Sequence, residues 1–250
     1  MDLEQFFREH PRAAIAFSGG VDSAYLLYAA VKSGARVKAY YVKTPFQPRF
    51  ELEDALHLAR KLNAQMQVLP VDILRHPEIQ SNPGDRCYFC KKRLFGAILE
   101  AAGADGYEVL LDGTNASDDA ADRPGMRALG ELRVLSPLRV CGLTKEKIRQ
   151  LSREAGLFTW DKPAYACLAT RIPTGERITA EKLEKTERAE NFLSGLGLRD
   201  FRVRMQGENA RLQVRAADMP VVLDNRETIV KKLKRYYGGV WLDLEVRDEF

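Results

Sequence analysis

Apolar residues in the first two thirds of the chain follow two alternating patterns. Short apolar runs of strand length alternate with stretches in which apolar residues recur at helical spacing. The runs predict strands at 13–17, 37–42, 65–71 and 108–112, and the periodic stretches predict helices at 3–9, 24–32, 50–62, 87–102 and 144–155. Strands and helices that alternate in such short units indicate an α/β fold, with a parallel sheet covered by helices on both faces.

The pattern becomes less regular after residue 115. Residues 116–140 are polar and are predicted to be irregular, Thr144 is predicted to cap the helix at 144–155, and 159–178 contain prolines without a periodic pattern. A long charged helix over 179–193 follows. Strands at 201–205 and 210–214, a helix at 226–237 and a strand at 240–246 then predict a small α+β unit of β-β-α-β order. We therefore predict two domains, 1–165 and 166–250.

Composition narrows the class of protein. The 250 residues carry a net charge of +4 with interspersed signs, which gives no footprint for nucleic acid. The charged N-terminus lacks the apolar core of a signal peptide, and no apolar run approaches the ~18 residues of a membrane span. We therefore expect a cytoplasmic protein with neither a membrane nor a nucleic acid as its partner.

The stretch 13–23, AAIAFSGGVDS, contains the most informative motif. A strand, a glycine turn and a helix follow one another. The glycines let a ligand approach the backbone of the turn closely, and the unpaired N–H groups of the helix and the serine hydroxyls suit an anion there. An acidic residue, Asp22, tolerates phosphates there only with a divalent cation between them, which implies Mg²⁺. The motif resembles the SGGxDS loop of the ATP pyrophosphatase (PP-loop) superfamily, whose members split ATP into AMP and pyrophosphate.

The chain has four cysteines, and two of them form a CxxC pair, Cys87 and Cys90, at a predicted helix start. A helix N-terminus and neighbouring lysines favour the thiolate form. Cys167 lies in a loop-like stretch near Arg171, whereas Cys141 lies in an apolar run and is interpreted as structural. The pair fits a zinc site, an iron–sulfur cluster with three cysteines and one open iron, or a packed core, and fits a redox pair less well.

Two further groups of polar residues are candidates. Asp112, Gly113 and Thr114 follow a predicted parallel strand, at the sheet edge where α/β proteins bind ligands. The acidic residues after them suit a metal or a solvated loop equally well: Asp118, Asp119 and Asp122. Four arginines at strand spacing suit phosphate or carboxylate, or else an exposed sheet face: Arg202, Arg204, Arg211 and Arg215.

Several stretches together resemble one family, the LarE-type ATP-dependent sulfur transferases. The resemblance covers essentially the whole chain and rests on FSGGVDSAYLL, NPGDRCYFCKKRLF, DGTNASDDAADRPG, LSPL and KPAYACLATRIPTGERIT. It implies that ATP adenylylates a carboxylate of a carboxylated pyridinium mononucleotide, a precursor of the nickel-pincer nucleotide cofactor. A sulfur nucleophile then displaces AMP and leaves a thiocarboxylate.

The resemblance also implies the sulfur source. In single-cysteine members the residue matching Cys167 gives up its own sulfur. The additional Cys87 and Cys90 match three-cysteine members, in which a [4Fe-4S] cluster carries a replaceable sulfide from a separate donor. The same resemblance implies homo-oligomers, namely hexamers, and a role of the second domain, 166–250, in sulfur transfer or oligomerisation.

Residue roles follow from the same resemblance. Cys167, Asp22 and Arg171 are the expected catalytic residues, and the metal ligands are Cys87, Cys90 and Cys167. ATP and the anionic groups of the substrate are expected to contact Ser18, Gly19, Gly20, Val21, Asp22, Ser23, Gly113, Thr114, Arg202 and Arg204. Two alternatives remain: a tRNA thiolation enzyme with the same loop, and a zinc-stabilised nucleotide-binding module.

Overall fold

The computed structural model describes residues 1–118 and 124–247. These residues form two compact units. The first comprises residues 1–73 and 85–162, and the second comprises residues 74–84 and 163–250. The chain therefore enters the second unit early, for eleven residues, before it returns to the first.

The first unit is built on a four-stranded parallel sheet with the strand order β3-β2-β1-β4. The strands are β1 (Arg12–Ala16), β2 (Arg36–Lys43), β3 (Gln65–Pro70) and β4 (Leu110–Leu111). The predicted α/β class and parallel sheet are confirmed. Strand β4 is shorter than the predicted 108–112, because it pairs with β1 only at Leu110 and Leu111.

Helices cover both faces of this sheet, as predicted. The α-helices of both units, within the described residues, are α1 (Leu3–Glu9), α2 (Val21–Lys32), α3 (Arg49–Lys61), α4 (Pro77–Gln80), α5 (Arg86–Ala104), α6 (Pro124–Glu131), α7 (Pro137–Val140), α8 (Lys145–Glu154), α9 (Ala180–Ser194), α10 (Met219–Asp224) and α11 (Arg226–Leu233). Alternate residues of β1 enter different cores: Ile15 packs with α1, α2, α3 and α8, and Ala14 packs with α5.

The prediction that 116–140 is irregular is wrong in part. Helix α6 packs against α5, and α7 lies against α1 and α2. Proline begins each of these short helices, and its fixed φ suits the first helical turn. The sequence signal was weak because α7 has only four residues, too few to reveal a helical period.

The second unit contains a three-stranded sheet with the order β5-β6-β7. Its strands are β5 (Arg202–Gln206), β6 (Asn209–Gln213) and β7 (Val240–Leu242). The first two pair antiparallel and the last pairs parallel to β6. The predicted helix at 226–237 is α11, which ends earlier, at Leu233. A second helix that the sequence did not predict, α10, precedes it, and Asn225 separates the two.

Candidate active site

The Ser-Gly-Gly turn between β1 and α2 is held by its own hydroxyl groups. Ser18 Oγ and Ser23 Oγ lie 3.1 Å apart, and the backbone N–H of Ser18 donates to Ser23 Oγ at 3.3 Å. Ser23 Oγ also donates to the carbonyl of Gly20 at 3.2 Å. These contacts within the turn hold its backbone in place, and a preorganised backbone lowers the entropic cost of binding a ligand.

Two glycines are required by close approach. Gly19 has φ +75°, and a Cβ there would lie 3.1 Å from Ala55 Cβ in α3. A Cβ on Gly113, which follows β4, would lie 2.9 Å from the backbone nitrogen of Ser23. Gly113 therefore borders the turn, and only glycine fits at either position without a shift of neighbouring atoms.

Helix α2 begins with Gly20 as its N-cap, so no side chain of the cap residue covers its first N–H groups. Val21 and Asp22 occupy the first turn, where the helix dipole favours an anion. The structure thus brings together the predicted loop residues: Ser18, Gly19, Gly20, Val21, Asp22 and Ser23.

Asp22 is held by two partners from outside the loop. Lys145, the first residue of α8, forms an ion pair with Asp22, and Asn115 Nδ2 donates to Asp22 Oδ1 at 3.3 Å. Burial raises the pKa of Asp22, and the charge of Lys145 opposes that shift. A carboxylate in this position could hold a cation, and the adjacent ammonium could hold a phosphate.

The segment after β4 is tied to the rest of the unit through Asp112. This buried carboxylate accepts from Ser136 Oγ at 2.7 Å and from the hydroxyl of Thr114. The hydroxyl of Thr114 is therefore already hydrogen-bonded within this segment. Asp118 accepts from the N–H of Asn115 at 2.9 Å, and the other two acidic candidates, Asp119 and Asp122, lie outside the described residues.

A cavity of about 140 Å³ opens beside Ser18, at the carboxyl ends of β1 and β2. Most of its lining is apolar and aromatic, from Phe17, Tyr40, Val42 and Phe95. That size and lining suit one flat ring system rather than a whole nucleotide, since sites for drug-sized ligands occupy ~300 Å³ or more.

The CxxC pair lies in the first two turns of α5. Cys87 is exposed and Cys90 is half-buried. Residues three apart on a helix are surface neighbours, so the two thiols share one face. The guanidinium of Arg86 donates to Cys87 Sγ at 4.0 Å.

Cys167 belongs to the second unit and precedes a 3₁₀ turn over Leu168–Arg171. Arg171 is buried and makes a bidentate ion pair with Glu190 of α9, with N–O distances of 2.8 and 3.2 Å. Burial alone would lower the pKa of Arg171, but the pairing with Glu190 raises it overall. The remaining guanidinium nitrogen donates to the carbonyl of Ala166 at 3.0 Å.

Arg202 holds the same segment from the other side. It donates to the carbonyl of Ala164 at 2.6 Å, and the guanidinium groups of both Arg171 and Arg202 lie over the ring of Tyr165, 4.7 and 5.3 Å from its centroid. Burial, together with the charges of Arg171 and Arg247, lowers the pKa of Arg202 to about 10. Arg202 therefore stays charged at neutral pH. Both arginines fix the backbone just before Cys167.

Arg204 has a more open position than Arg202. It donates to the carbonyl of Thr170 at 2.9 Å and lines a cavity of about 320 Å³ together with Arg171 and Arg211. Arg171 and Arg211 pair with carboxylates, those of Glu190 and Asp243. Arg204 is therefore the candidate for an anion in this cavity. Direct contact of Arg171, Arg202 or Arg204 with a substrate stays a prediction.

Sequence reasoning missed Lys145, Glu190 and Tyr165. Lys145 follows Thr144, which was noticed only as a helix cap, and Glu190 lies among many charged residues of α9. No local pattern separates a buried glutamate from a solvated one. Cys141 packs at the edge of the large core and burial raises its thiol pKa, which fits a structural role.

Within the described residues, no three His, Cys, Asp or Glu side chains are grouped to hold a metal ion. Cys87 and Cys90 offer two neighbouring thiols in one unit, and Cys167 is in the other. Every helix in residues 1–118 and 124–247 is too short or too polar to cross a bilayer.

The parallel sheet, the Ser-Gly-Gly turn and the open helix N-terminus define a PP-loop protein, a class that uses ATP with Mg²⁺. Comparisons agree: residues 12–83 match the family model described as queuosine biosynthesis protein QueC. The chain is 39% identical to an uncharacterized protein of Synechocystis over 85% of this chain and 80% of that protein.

Two relatives of described activity also match. The pyridinium-3,5-bisthiocarboxylic acid mononucleotide synthase of Lactiplantibacillus plantarum is 31% identical over 93% of this chain and 86% of its own. A tRNA-specific 2-thiouridylase of Thermotoga is 25% identical over 58% of this chain and 52% of its own. The chain belongs to the LarE family of ATP-dependent sulfur transferases.

Proposed function

We propose that this enzyme converts a carboxylate of pyridinium-3,5-biscarboxylate mononucleotide to a thiocarboxylate, in the biosynthesis of the nickel-pincer cofactor. The observation that carries the proposal is the match over nearly the whole chain to a synthase of the bisthiocarboxylic product. The carboxylate attacks the α-phosphorus of ATP, so pyrophosphate leaves and an acyl adenylate forms. A sulfur nucleophile then attacks the acyl carbon and AMP leaves.

The first step is assigned to the turn between β1 and α2. Ser18, Gly19, Gly20, Val21 and Ser23 would bind the phosphates, and Asp22 would hold Mg²⁺. Gly113 and Thr114 would border the nucleotide, because Gly113 lies against the backbone of Ser23. The base would enter the small cavity beside Ser18, whose flat aromatic lining suits a purine.

The second step is assigned to Cys167 and its surroundings. Arg171 donates to the carbonyl of Ala166 and Arg202 to that of Ala164, so the two arginines would position Cys167. Arg204 would bind an anionic group of the substrate in the neighbouring cavity. An acidic group of the substrate and the guanidinium of Arg204 are complementary in charge.

Cys87, Cys90 and Cys167 are proposed as the three protein ligands of a [4Fe-4S] cluster. The exposed CxxC pair beside Arg86 supports two of these ligands, because thiolates bind cluster irons. A bound cluster with one open iron would supply a replaceable sulfide. Without the cluster, Cys167 would give up its own sulfur and the enzyme would act once.

The test of the reaction is anaerobic incubation with Mg·ATP, sulfide and the biscarboxylated nucleotide. We expect thiocarboxylate by mass spectrometry, with one pyrophosphate and one AMP released per sulfur transferred. More than one product per chain without a loss of about 34 Da at Cys167, the mass of H₂S, supports the cluster route. Pyrophosphate release without any thiocarboxylate would contradict the proposed acceptor.

The test of the cluster is iron content after anaerobic reconstitution. About four irons per chain are expected, with absorbance near ~400 nm from thiolate-bound iron. Cys87→Ala should abolish iron binding, and Cys141→Ser is the matched control that should retain it. Full iron content in Cys87→Ala, or zinc in place of iron, would overturn the cluster.

A tRNA thiolation activity is the second candidate, favoured by the partial match to a 2-thiouridylase. Its discriminating observation is tRNA binding at ordinary salt, which a chain of charge +4 with mixed signs does not favour.

We also propose a homo-oligomer. Exposed Trp241, Leu244 and Val246 near the last strand offer apolar contact area, and light scattering measures the mass.

A further inference from the structure

A second lysine, Lys162, lies beside the Ser-Gly-Gly turn. Its Nζ lies 2.7 Å from Asp54 Oδ2 of α3 and 3.5 Å from the carbonyl of Gly19 in the turn. The side chain is mostly buried, with an exposed fraction of 13%, and its ammonium lies over the ring of Phe50. A lysine of this kind is a mobile point charge on a long stem.

The backbone of Lys162 is fixed independently of its side chain. Arg149 of α8 donates to the carbonyl of Trp160 at 2.6 Å and to that of Lys162 at 2.8 Å. Any change of partner at the Nζ atom is therefore a rotation of the side chain about a fixed Cα.

A buried donor lies on β2, against which α3 packs. The side chain of Tyr41 in β2 is 1% exposed, and among the described residues its hydroxyl has no hydrogen-bond partner. Burial raises the pKa of Tyr41, and the charges of Glu51 and Asp54, both in α3, add to that shift. The hydroxyl therefore stays protonated as a donor, and leaving it unpaired is costly.

These contacts fit two arrangements of the same three side chains. We propose that Lys162 leaves Asp54 when Mg·ATP binds and contacts a phosphate beyond the α position, while the Tyr41 hydroxyl donates to Asp54. In the absence of nucleotide, Asp54 neutralises the lysine. In its presence, the phosphates do so, and the orphaned hydroxyl satisfies the released carboxylate. Lys162 then binds substrate, and Asp54 and Tyr41 are positioning residues.

This inference rests on the proposed binding of ATP phosphates by the turn, and nucleotide titrations by calorimetry test it. Lys162→Met keeps the stem over Phe50 and removes the charge. We expect affinity for Mg·ATP to fall about tenfold or more, the effect of a lost charge-assisted hydrogen bond, with affinity for AMP unchanged. Lys61→Met is the matched control, because Lys61 also binds a backbone carbonyl, that of Gly156.

The partner variants separate this exchange from a purely structural ion pair. Asp54→Asn frees Lys162 and should tighten Mg·ATP binding, opposite in direction to Lys162→Met. Tyr41→Phe should weaken binding of Mg·ATP, and the effect should vanish when Asp54→Asn is also present. A structural pair would make both partner variants weaken ATP and AMP alike.

The outcomes also separate this inference from the proposed function. If the unaltered protein does not prefer Mg·ATP to AMP, the phosphate-binding turn itself is refuted. If it does prefer Mg·ATP and Lys162→Met binds it equally well, only the role of Lys162 is overturned. An unchanged affinity in Tyr41→Phe overturns the part assigned to the hydroxyl.

Discussion

At the scale of single residues, the site contains charged groups that burial disfavours and that an oppositely charged partner stabilises. Asp22 is partly buried at the loop, and Arg171 and Glu190 are buried together in the second unit. The sequence identified Asp22 and Arg171 as candidates because the motifs contain them. It could not supply their partners, since Lys145 and Glu190 lie far away in the chain.

Asp22→Asn is expected to stabilise the protein while removing Mg²⁺-dependent activity. The pKa of Asp22 is raised in the folded state, so the folded state binds protons more readily than the unfolded one. Stability therefore falls as pH rises above the ordinary carboxylate pKa and toward the raised one, and the neutral amide escapes that loss. Thermal melting without nucleotide measures this difference at about pH 4.5, close to the ordinary carboxyl pKa, and at about pH 7, well above it. A lower melting temperature for Asp22→Asn at pH 7 would contradict the prediction.

Glu190→Gln is expected to destabilise the second unit by about 3–5 kcal/mol, because it leaves the Arg171 guanidinium buried without a counter-charge. Urea unfolding measures the change. Glu184→Gln is the control on the same helix, where the pair with Arg188 is exposed and its loss should leave the midpoint unchanged. Equal midpoints for the two variants would argue that the Arg171 pair does not stabilise the fold.

At the scale of elements, the pattern of apolar residues predicted the strands and longer helices within a few residues of their observed ends. Helix α8 is an example: Thr144 was predicted as its cap, and its hydroxyl accepts from the N–H of Lys147 at 3.3 Å. The short helices α6, α7 and α10 were missed. Their stability comes from packing against other elements rather than from a local period.

Thr144→Ala tests whether α8 positions the loop. Loss of the cap should cost about 1 kcal/mol and loosen the first turn, which carries Lys145 to Asp22. We expect a weaker affinity for Mg·ATP as well as lower stability. Thr179→Ala removes the equivalent cap of α9 in the second unit and should lower stability by a similar amount without changing nucleotide affinity. Equal affinities in both variants would show that α8 does not position the loop.

At the scale of the whole molecule, the chain crosses between two compact units more than once. Residues 74–84 belong to the second unit, where the carbonyls of Gln80 and Asn82 accept from the N–H groups of Ile178 and Gly175. Nothing in the local sequence indicates this exchange. The contacts join residues about ninety positions apart, so no local period reports them.

Asn82→Ala is expected to destabilise the protein by about 2–3 kcal/mol. The buried amide donates to the carbonyls of Ile172 and Pro173, and φ of +58° strains any other side chain. Asn63→Ala is the control. Asn63 is exposed and has φ +49°, so its substitution should destabilise the protein mainly through strain in the backbone. Urea unfolding of the full chain measures both. A similar loss in the two variants would assign the effect to backbone strain alone.

The sequence by itself determined the α/β class, the parallel sheet and the Ser-Gly-Gly turn between β1 and α2. Each depends on residues close together in the chain: an apolar run, a pair of glycines and a helix start. Only the tertiary structure decided what surrounds the turn and Cys167. Lys145 and Lys162 meet the turn, Asp54 meets Lys162, and Glu190 meets Arg171, because the strand order and helix packing bring distant segments together.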